Sequence, residues 1–156
     1  CRDSSCETEH TGGIIRNNVI INCPKDVGIY LNRSKGTQIV NNGIYNTAGV
    51  DSRFPTSSAY FANNIMDGRV KNRNGGQSSM ENNLILGDGV DLADVFTDAL
   101  NGNFELVDKK AVVGRGIALK NLGVDFCGAK RKSTAPDLGP VDHTGSTTCD
   151  IRNIWK

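Results

Sequence analysis

Aromatic residues and proline are scarce in this sequence. Aromatic side chains make up 6% of the 156 residues, and 4 prolines stand beside 18 glycines. Thin, repetitive β architectures leave little room for large rings, so this composition favours such an architecture. No apolar run approaches the roughly 18 residues that a membrane-spanning helix needs. We therefore do not expect a membrane among the partners of this chain.

The sequence also lacks an initiating methionine and a recognisable signal peptide. It opens at Cys1, and this start is expected for a processed or trimmed product, or for the tail of a longer protein. If it is such a tail, an upstream segment of the same fold would be one of its partners.

Zinc-binding cysteine spacing is absent as well. Five cysteines in a hydrophilic chain of this size favour an oxidising location, so we expect a secreted, periplasmic or cell-surface protein. Cys127 and Cys149 are 22 positions apart, and a bridge between them would contribute about 3 kcal/mol in the loop-entropy model. Cys23 is the expected free thiol. The five cysteines are Cys1, Cys6, Cys23, Cys127 and Cys149.

Charge is distributed in blocks, although the net charge is only +1. Residues 14–76 hold eight lysines and arginines and three acids, whereas residues 77–108 hold seven acids and no lysine or arginine. Residues 109–132 then hold seven basic residues and one acid. Such blocks indicate either a solvated surface or a basic face for an acidic ligand.

A repeat built around an Asn-Asn pair occupies the first half of the chain. The pairs begin at Asn17, Asn41, Asn63 and Asn82, so they are 24, 22 and 19 residues apart, and each lies between two β-prone stretches. This period fits one coil of a three-sided parallel β-helix or one leucine-rich repeat. The consensus leucines and a helical pattern are missing, so we predict an all-β, right-handed parallel β-helix of about four coils, which occupies residues 1–94 together with an N-terminal lead-in.

The Asn-Asn pairs have a physical role in such coils. Asparagine tolerates the left-handed backbone conformation of a sharp corner, and asparagines at equivalent corners can hydrogen-bond from coil to coil as a ladder. The stretch before each pair should point one apolar side chain inward. These inward residues are Ile15, Ile39, Phe61 and Met80.

Each coil should contain a third strand, at residues 27–31, 50–54 and 70–73. Alternation predicts that Val27, Ile29, Leu31, Val50, Phe54 and Val70 point inward, and that Asn72 also faces the core. The outward side chains then form two columns. We predict Gly28, Asp51 and Lys71 in one column and Tyr30, Arg53 and Arg73 in the other.

The repeat ends near residue 95. Repeat proteins need an atypical terminal unit over the open edge of the last coil. We therefore predict a C-terminal cap of the same domain over residues 95–143 and an irregular tail over residues 144–156.

Four motifs in the cap resemble the C-terminal end of bacterial β-helix proteins of the pectate-lyase-like superfamily. They are N-F-E-L at 103–106, A-V-V-G-R-G at 111–116, D-F-C-G-A-K-R at 125–131 and A-P-D-L-G at 135–139. With the Asn-Asn coils, the resemblance covers about residues 13–143. Cys127 stands where the family usually has an acid, and Asp142-His143 stands where an aromatic end is common. The resemblance implies the fold but not an activity, because this fold hosts lyases, hydrolases, epimerases, tailspikes and adhesins.

An acidic polysaccharide is the expected partner, bound or cleaved by β-elimination. A lyase must neutralise a uronate, remove a proton and protonate the leaving oxygen, and close positive charges can lower the pKa of a basic side chain toward that role. The candidate catalytic residues are Lys71, Arg53 and Arg73. Tyr30, Asp51 and His10 are the candidate substrate-binding residues, with Tyr30 as an aromatic platform or proton donor.

The sequence is also compatible with other functions. The chain fits a non-catalytic glycan-binding or adhesin-like module, or the cap fragment of a longer enzyme. Asp51 and Asp67 would be the acids of a glycoside hydrolase. We expect no resident metal or other cofactor, with calcium at Asp88, Asp91, Asp94 and Asp98 as the alternative, and no nucleic-acid partner.

Overall fold

The computed structural model describes residues 6–87, 89–143 and 149–153, and most of their regular structure is β-strand. A short helix, α1, spans Leu92–Val95, and 3₁₀ turns occupy Ala99–Asn101, Lys109–Ala111 and Ile151–Asn153. The strands are β1 His10–Thr11, β2 Ile14–Arg16, β3 Val19–Cys23, β4 Ile29–Asn32, β5 Ser34–Lys35, β6 Thr37–Val40, β7 Gly43–Thr47, β8 Val50–Arg53, β9 Ser58–Ala62, β10 Ile65–Met66, β11 Val70–Arg73, β12 Gln77–Glu81, β13 Leu84–Ile85, β14 Phe96–Asp98 and β15 Asn103–Leu106.

Three parallel sheets form the body of the molecule. The first sheet stacks β2, β6, β9 and β12, the second stacks β3, β7, β10 and β13, and the third stacks β4, β8 and β11. Every pairing within these sheets is parallel and joins strands of successive coils. The protein is thus an all-β parallel β-solenoid of about four turns, which confirms the predicted fold class.

The two asparagines of each pair divide the predicted roles between them. The first asparagine of every pair takes the left-handed conformation, with φ between 53° at Asn82 and 56° at Asn63. The second asparagine points inward and forms the ladder. Within it the Asn18 amide donates to Asn42 Oδ1 at 3.0 Å, Asn42 donates to Asn64 Oδ1 at 3.0 Å, and Asn64 donates to Asn83 Oδ1 at 2.8 Å.

The predicted inward column is in register, but its last member is not buried. Ile15 pairs with Ile39, Ile39 with Phe61, and Phe61 with Met80. Ile39 and Phe61 are fully buried, whereas Met80 remains 47% exposed. Met80 lies on the last coil, where no further strand of the described residues is stacked on it. The same position explains why Asn72 is exposed although it pairs with the buried Ser52.

The C-terminal segment, residues 95–143, packs along the side of the solenoid. Phe96 and Phe104 lie in an apolar cluster with Tyr45 and Ile65, which project outward from the second sheet. Leu122 packs on the outward residues of the first sheet near the same corner. The segment therefore covers the corner between two sheets instead of the predicted end of the last coil.

The corner asparagines hold this segment through its backbone. Asn63 donates to the carbonyl of Ile117 and accepts from its N–H, both at 2.9 Å. The remaining first asparagines of the pairs donate in the same way. They are Asn17 to Leu122 O, Asn41 to Asp137 O and Asn82 to Arg115 O, at 2.7, 3.0 and 2.8 Å. We call these four contacts the asparagine clasp.

A buried arginine anchors the segment at the clasp. Arg131 is only 5% exposed and donates to Asn17 Oδ1 at 2.7 Å and to the Gly139 carbonyl at 2.6 Å. Burial lowers the pKa of Arg131, and the nearby carboxylates oppose this shift. These carboxylates belong to Asp125, Asp142 and Asp137, each at most 4% exposed.

Protonation of Asp137 in acid should lower the stability of the C-terminal segment. Burial raises the pKa of Asp137, but hydrogen bonds from His143 and from the Gly114 N–H outweigh burial and lower the pKa overall. A carboxyl with a lowered pKa stabilises the fold above its unfolded-state pKa, and this contribution disappears as the pH falls through the folded-state pKa. We expect Asp137→Asn to flatten the fall in unfolding free energy, measured with urea from about pH 7 to about pH 2. Equal slopes for wild type and Asp137→Asn would contradict the assignment.

The predicted disulfide between Cys127 and Cys149 is present, with Cα atoms 5.9 Å apart. Cys6 is also disulfide-bonded, and Cys23 is a free thiol, as predicted. Among the described residues, no helix is long and apolar enough to cross a membrane.

Candidate functional site

The third sheet carries most of the predicted site residues, in columns that differ from the prediction. Tyr30 pairs with Asp51, which pairs with Lys71, and the next outward column contains Asn32, Arg53 and Arg73. The register of the first coil changes between the second and third sheets. Paired residues of β3 and β7 are 24 positions apart in the sequence, whereas paired residues of β4 and β8 are 21 positions apart. The turn before β4 is therefore three residues longer than its counterpart in the second coil. Gly28 does not belong to the column.

A groove of about 720 Å³ follows this outward face. It contains all the predicted site residues except His10. Four of the lining residues are basic and two are acidic, so the lining has a surplus of positive charge. The lining consists of Lys25, Asp26, Val27, Tyr30, Ala48, Asp51, Arg53, Lys71 and Arg73.

Asp51 and Arg73 form an ion pair on the floor of the groove. The Asp51 carboxylate is only 2% exposed, and Arg73 Nη1 lies 2.5 Å from its Oδ2. The hydrogen bond from Arg73 to Asp51 raises the pKa of the guanidinium. This shift is opposite to the one that an arginine base requires, so the geometry favours Arg73 as a permanent cation. Its side chain remains 50% exposed toward the groove.

Arg53 holds Tyr30 in place at the edge of the groove. It donates to the Tyr30 hydroxyl at 2.9 Å and to Asn74 Oδ1 at 3.0 Å. Its guanidinium also lies over the Phe54 ring, 4.7 Å from the ring centre, and Arg33 lies 5.4 Å from the same centre. Phe54 was predicted to point inward, but it is half-buried at the corner with φ of 75° and supports Arg53 instead.

Lys71 extends the positive surface onto the next coil. Its side chain is exposed, and Nζ donates to the Ala48 carbonyl at 3.2 Å. An ammonium group has three donors, so one such bond leaves donors for a ligand. Tyr30 is 45% exposed in the same column and presents an aromatic ring beside these cations.

No known protein family, curated protein or solved structure matches this chain.

The remaining predicted residues lie outside the groove. His10 is exposed on β1, which pairs with β5 at a different corner. Asp67 is not in the groove lining either. It lies at the corner after β10 and accepts a hydrogen bond from the Asn46 N–H. The structure thus does not place the two proposed hydrolase acids on one site.

The acidic run serves local structure. Asp94 accepts from the N–H of Asp91 at the start of α1, at 2.9 Å, and Asp98 accepts from the Asn101 side chain at 3.0 Å. Asp88 lies outside the described residues. Within residues 6–87, 89–143 and 149–153, no cluster of three or more His, Cys, Asp or Glu residues could hold a metal ion.

Sequence analysis missed one wall of the groove. Lys25, Asp26 and Val27 belong to the long turn before β4, and the Ala48 N–H donates to the Asp26 carbonyl at 2.8 Å. Val27 was predicted inside the third strand, but β4 begins at Ile29. The change in repeat length from 24 to 22 residues was the signal for this insertion.

Proposed function

We propose that this chain binds an acidic polysaccharide in the groove of the third sheet. The observation that carries the proposal is the stacking of Tyr30, Lys71, Arg53 and Arg73 on adjacent strands around one groove. These groups combine an aromatic platform with three cations. An acidic glycan offers the matching pattern of sugar faces and regularly spaced anions.

The cations suit carboxylate groups. Arg73 is held in place by Asp51, and Arg53 is held by Tyr30 and Asn74. An ordered guanidinium loses little conformational freedom when it binds a carboxylate and can donate two parallel hydrogen bonds to it. Lys71 adds an exposed positive charge on the same face.

The direction of the groove suits a linear polymer. Neighbouring strands of a sheet are about 4.8 Å apart, so side chains of successive coils repeat at a spacing comparable with one sugar unit. A glycan that runs across β4, β8 and β11 would meet a basic or aromatic side chain on each coil. The bound polymer would thus lie along the solenoid axis.

Membership of the pectate-lyase-like superfamily and secretion are parts of the same proposal. The four C-terminal motifs and the Asn-Asn coils support the first. The disulfides at Cys6 and between Cys127 and Cys149 support the second, because such bonds persist mainly in oxidising compartments.

Binding should be measured by titration calorimetry with pectate and alginate at low salt. We expect Arg53→Ala with Arg73→Ala to weaken binding by about 100-fold, because charged hydrogen bonds contribute roughly 1.5–3 kcal/mol each. Lys71→Gln, which leaves the Asp51 ion pair intact, should weaken it several-fold. Added salt should also weaken binding, because it screens exposed charges.

The matched control is Lys109→Ala with Lys110→Ala, which removes two positive charges from exposed residues outside the groove lining. It should bind like the wild type. Absence of binding by the wild type, or equal affinity of the two double variants, would refute the proposal. Absorbance from an unsaturated product during the titration would show that the groove also performs β-elimination.

A further inference from the structure

The last coil presents an open sheet edge. Within the described residues, β12 pairs only with β9 and β13 pairs only with β10, so each has one unpaired side. Met80 projects into the interior column and is 47% exposed, and Ile85 beside it is only partly buried. Unpaired strand edges beside exposed apolar side chains form a template for another strand.

The first coil presents the opposite edge of the same sheets. Over the described part of the chain, β2 pairs only with β6 and β3 pairs only with β7. Ile15 and Ile20 are the inward residues here, and both are partly buried. Ile15 belongs to the same column as Met80, and Ile20 belongs to the same column as Ile85.

The asparagine ladder makes the two ends complementary. In each coil the backbone N–H and side-chain amide of the second asparagine donate to Oδ1 of its counterpart in the next coil. Asn83 ends the ladder: its side-chain amide donates to the Phe61 and Glu81 carbonyls, at 3.0 and 3.2 Å, and its backbone N–H is the donor directed toward the open side. Asn18 begins the ladder, and among the described residues no donor from an earlier coil reaches its Oδ1. One end therefore offers a backbone N–H and the other an acceptor oxygen at the same place in the coil.

Charge at the two ends is complementary as well. Arg16, Val40, Ala62 and Glu81 occupy one column of the first sheet. Continuing that column from the last coil onto the first coil of another copy places Arg16 beside Glu81. A cross-strand pair of opposite charges contributes roughly 0.2–1 kcal/mol and favours this register.

We propose that a second copy of this chain docks head to tail, with its β2 and β3 added in parallel to β12 and β13. The contact buries Met80 against Ile15 and extends the ladder from Asn83 to Asn18. It joins two different surfaces, so each added copy presents a new free end. Such a heterologous contact produces linear oligomers that grow with concentration.

Sedimentation velocity over about a hundredfold range of concentration tests this assembly. The wild type should form a series of species that differ by the 16.8 kDa chain. Met80→Lys places a charge on one end and should be monomeric, and Ile15→Lys should block the other end. A mixture of the two variants should form dimers and nothing larger, because each variant retains the end that the other lacks.

Two further variants keep the test independent of folding defects. Glu81→Arg changes an exposed side chain, removes only the surface hydrogen bond that Glu81 accepts from the Tyr60 hydroxyl, and should weaken association about tenfold by placing two arginines together. Gln38→Lys introduces the same charge as Met80→Lys at an exposed mid-stack position and should assemble like the wild type. A wild type that is monomeric at every concentration, or Met80→Lys and Glu81→Arg proteins that assemble like it, would overturn the proposal.

Discussion

Replacement of Asn64 by alanine is expected to lower the free energy of unfolding by about 4 kcal/mol. Asn64 is fully buried, and its Oδ1 accepts from the backbone and side chain of Asn42 at 2.9 and 3.0 Å. Its amide donates to the Ile39 carbonyl and to Asn83 Oδ1, both at 2.8 Å. Alanine removes four hydrogen bonds and leaves polar partners in the interior, where water cannot replace the lost contacts. Urea unfolding followed by circular dichroism measures the loss.

Asn18→Ala is the matched control at the end of the same ladder. Asn18 is exposed, and its side chain donates to Asn42 Oδ1 and to the Arg16 carbonyl. Water can satisfy these groups after the substitution, so the expected loss is about 1 kcal/mol. Equal losses for the two variants would show that the ladder is not the source of the stability.

Arg131→Met is expected to destabilise the protein by about 3–5 kcal/mol. Methionine fills much of the space of the arginine stem but removes the positive charge that Asp125, Asp137 and Asp142 face. It also removes the hydrogen bonds to Asn17 and to the Gly139 carbonyl. The effect should shrink in acid, where protonated carboxyls no longer need a cation. Thermal unfolding at neutral and acidic pH measures both parts of the prediction.

Arg115→Met provides the comparison, because the Arg115 side chain is exposed on the same segment. Its replacement should change the free energy of unfolding by less than about 0.5 kcal/mol. An Arg131→Met protein as stable as Arg115→Met would mean that the buried charges contribute nothing to holding the segment.

The coil architecture could be predicted from the sequence because every coil needs the same residues at the same corner. Asparagine in the left-handed conformation and asparagine in the ladder both act at one corner, and the spacing of the pairs gives the coil length directly. Ile39 and Phe61 follow from strand alternation within one coil. Burial of Met80 did not follow, since it depends on whether another element covers the last coil.

The sequence was sufficient to predict which residues form the candidate site, but not which of them pair across neighbouring strands. Asp51, Arg53, Lys71 and Arg73 are outward on strands of similar spacing, so alternation identified them. The long turn before β4 shifted Tyr30 by two positions relative to them, from the row of Arg53 to the row of Asp51. The placement of His10 depends on the path between coils, which a repeat pattern does not determine.

The packing of the C-terminal segment against the side of the solenoid could not be predicted from local sequence patterns either. Its apolar residues are short groups without a single period, and they fit outward residues of the second sheet such as Tyr45 and Ile65. Strand alternation assigns such outward positions to solvent. Their apolar character was the available signal that another element covers them.

The asparagine clasp has a consequence for how this protein can change in evolution. In most repeat proteins each unit contacts only its neighbours, so a whole unit can be added or removed without affecting distant parts. Here each of four coils is matched to a particular carbonyl of one non-repeating segment. A fifth coil would have no matching carbonyl, and a deletion would leave one carbonyl without its donor. The length of the C-terminal segment therefore constrains the number of repeats, and the two parts must change together.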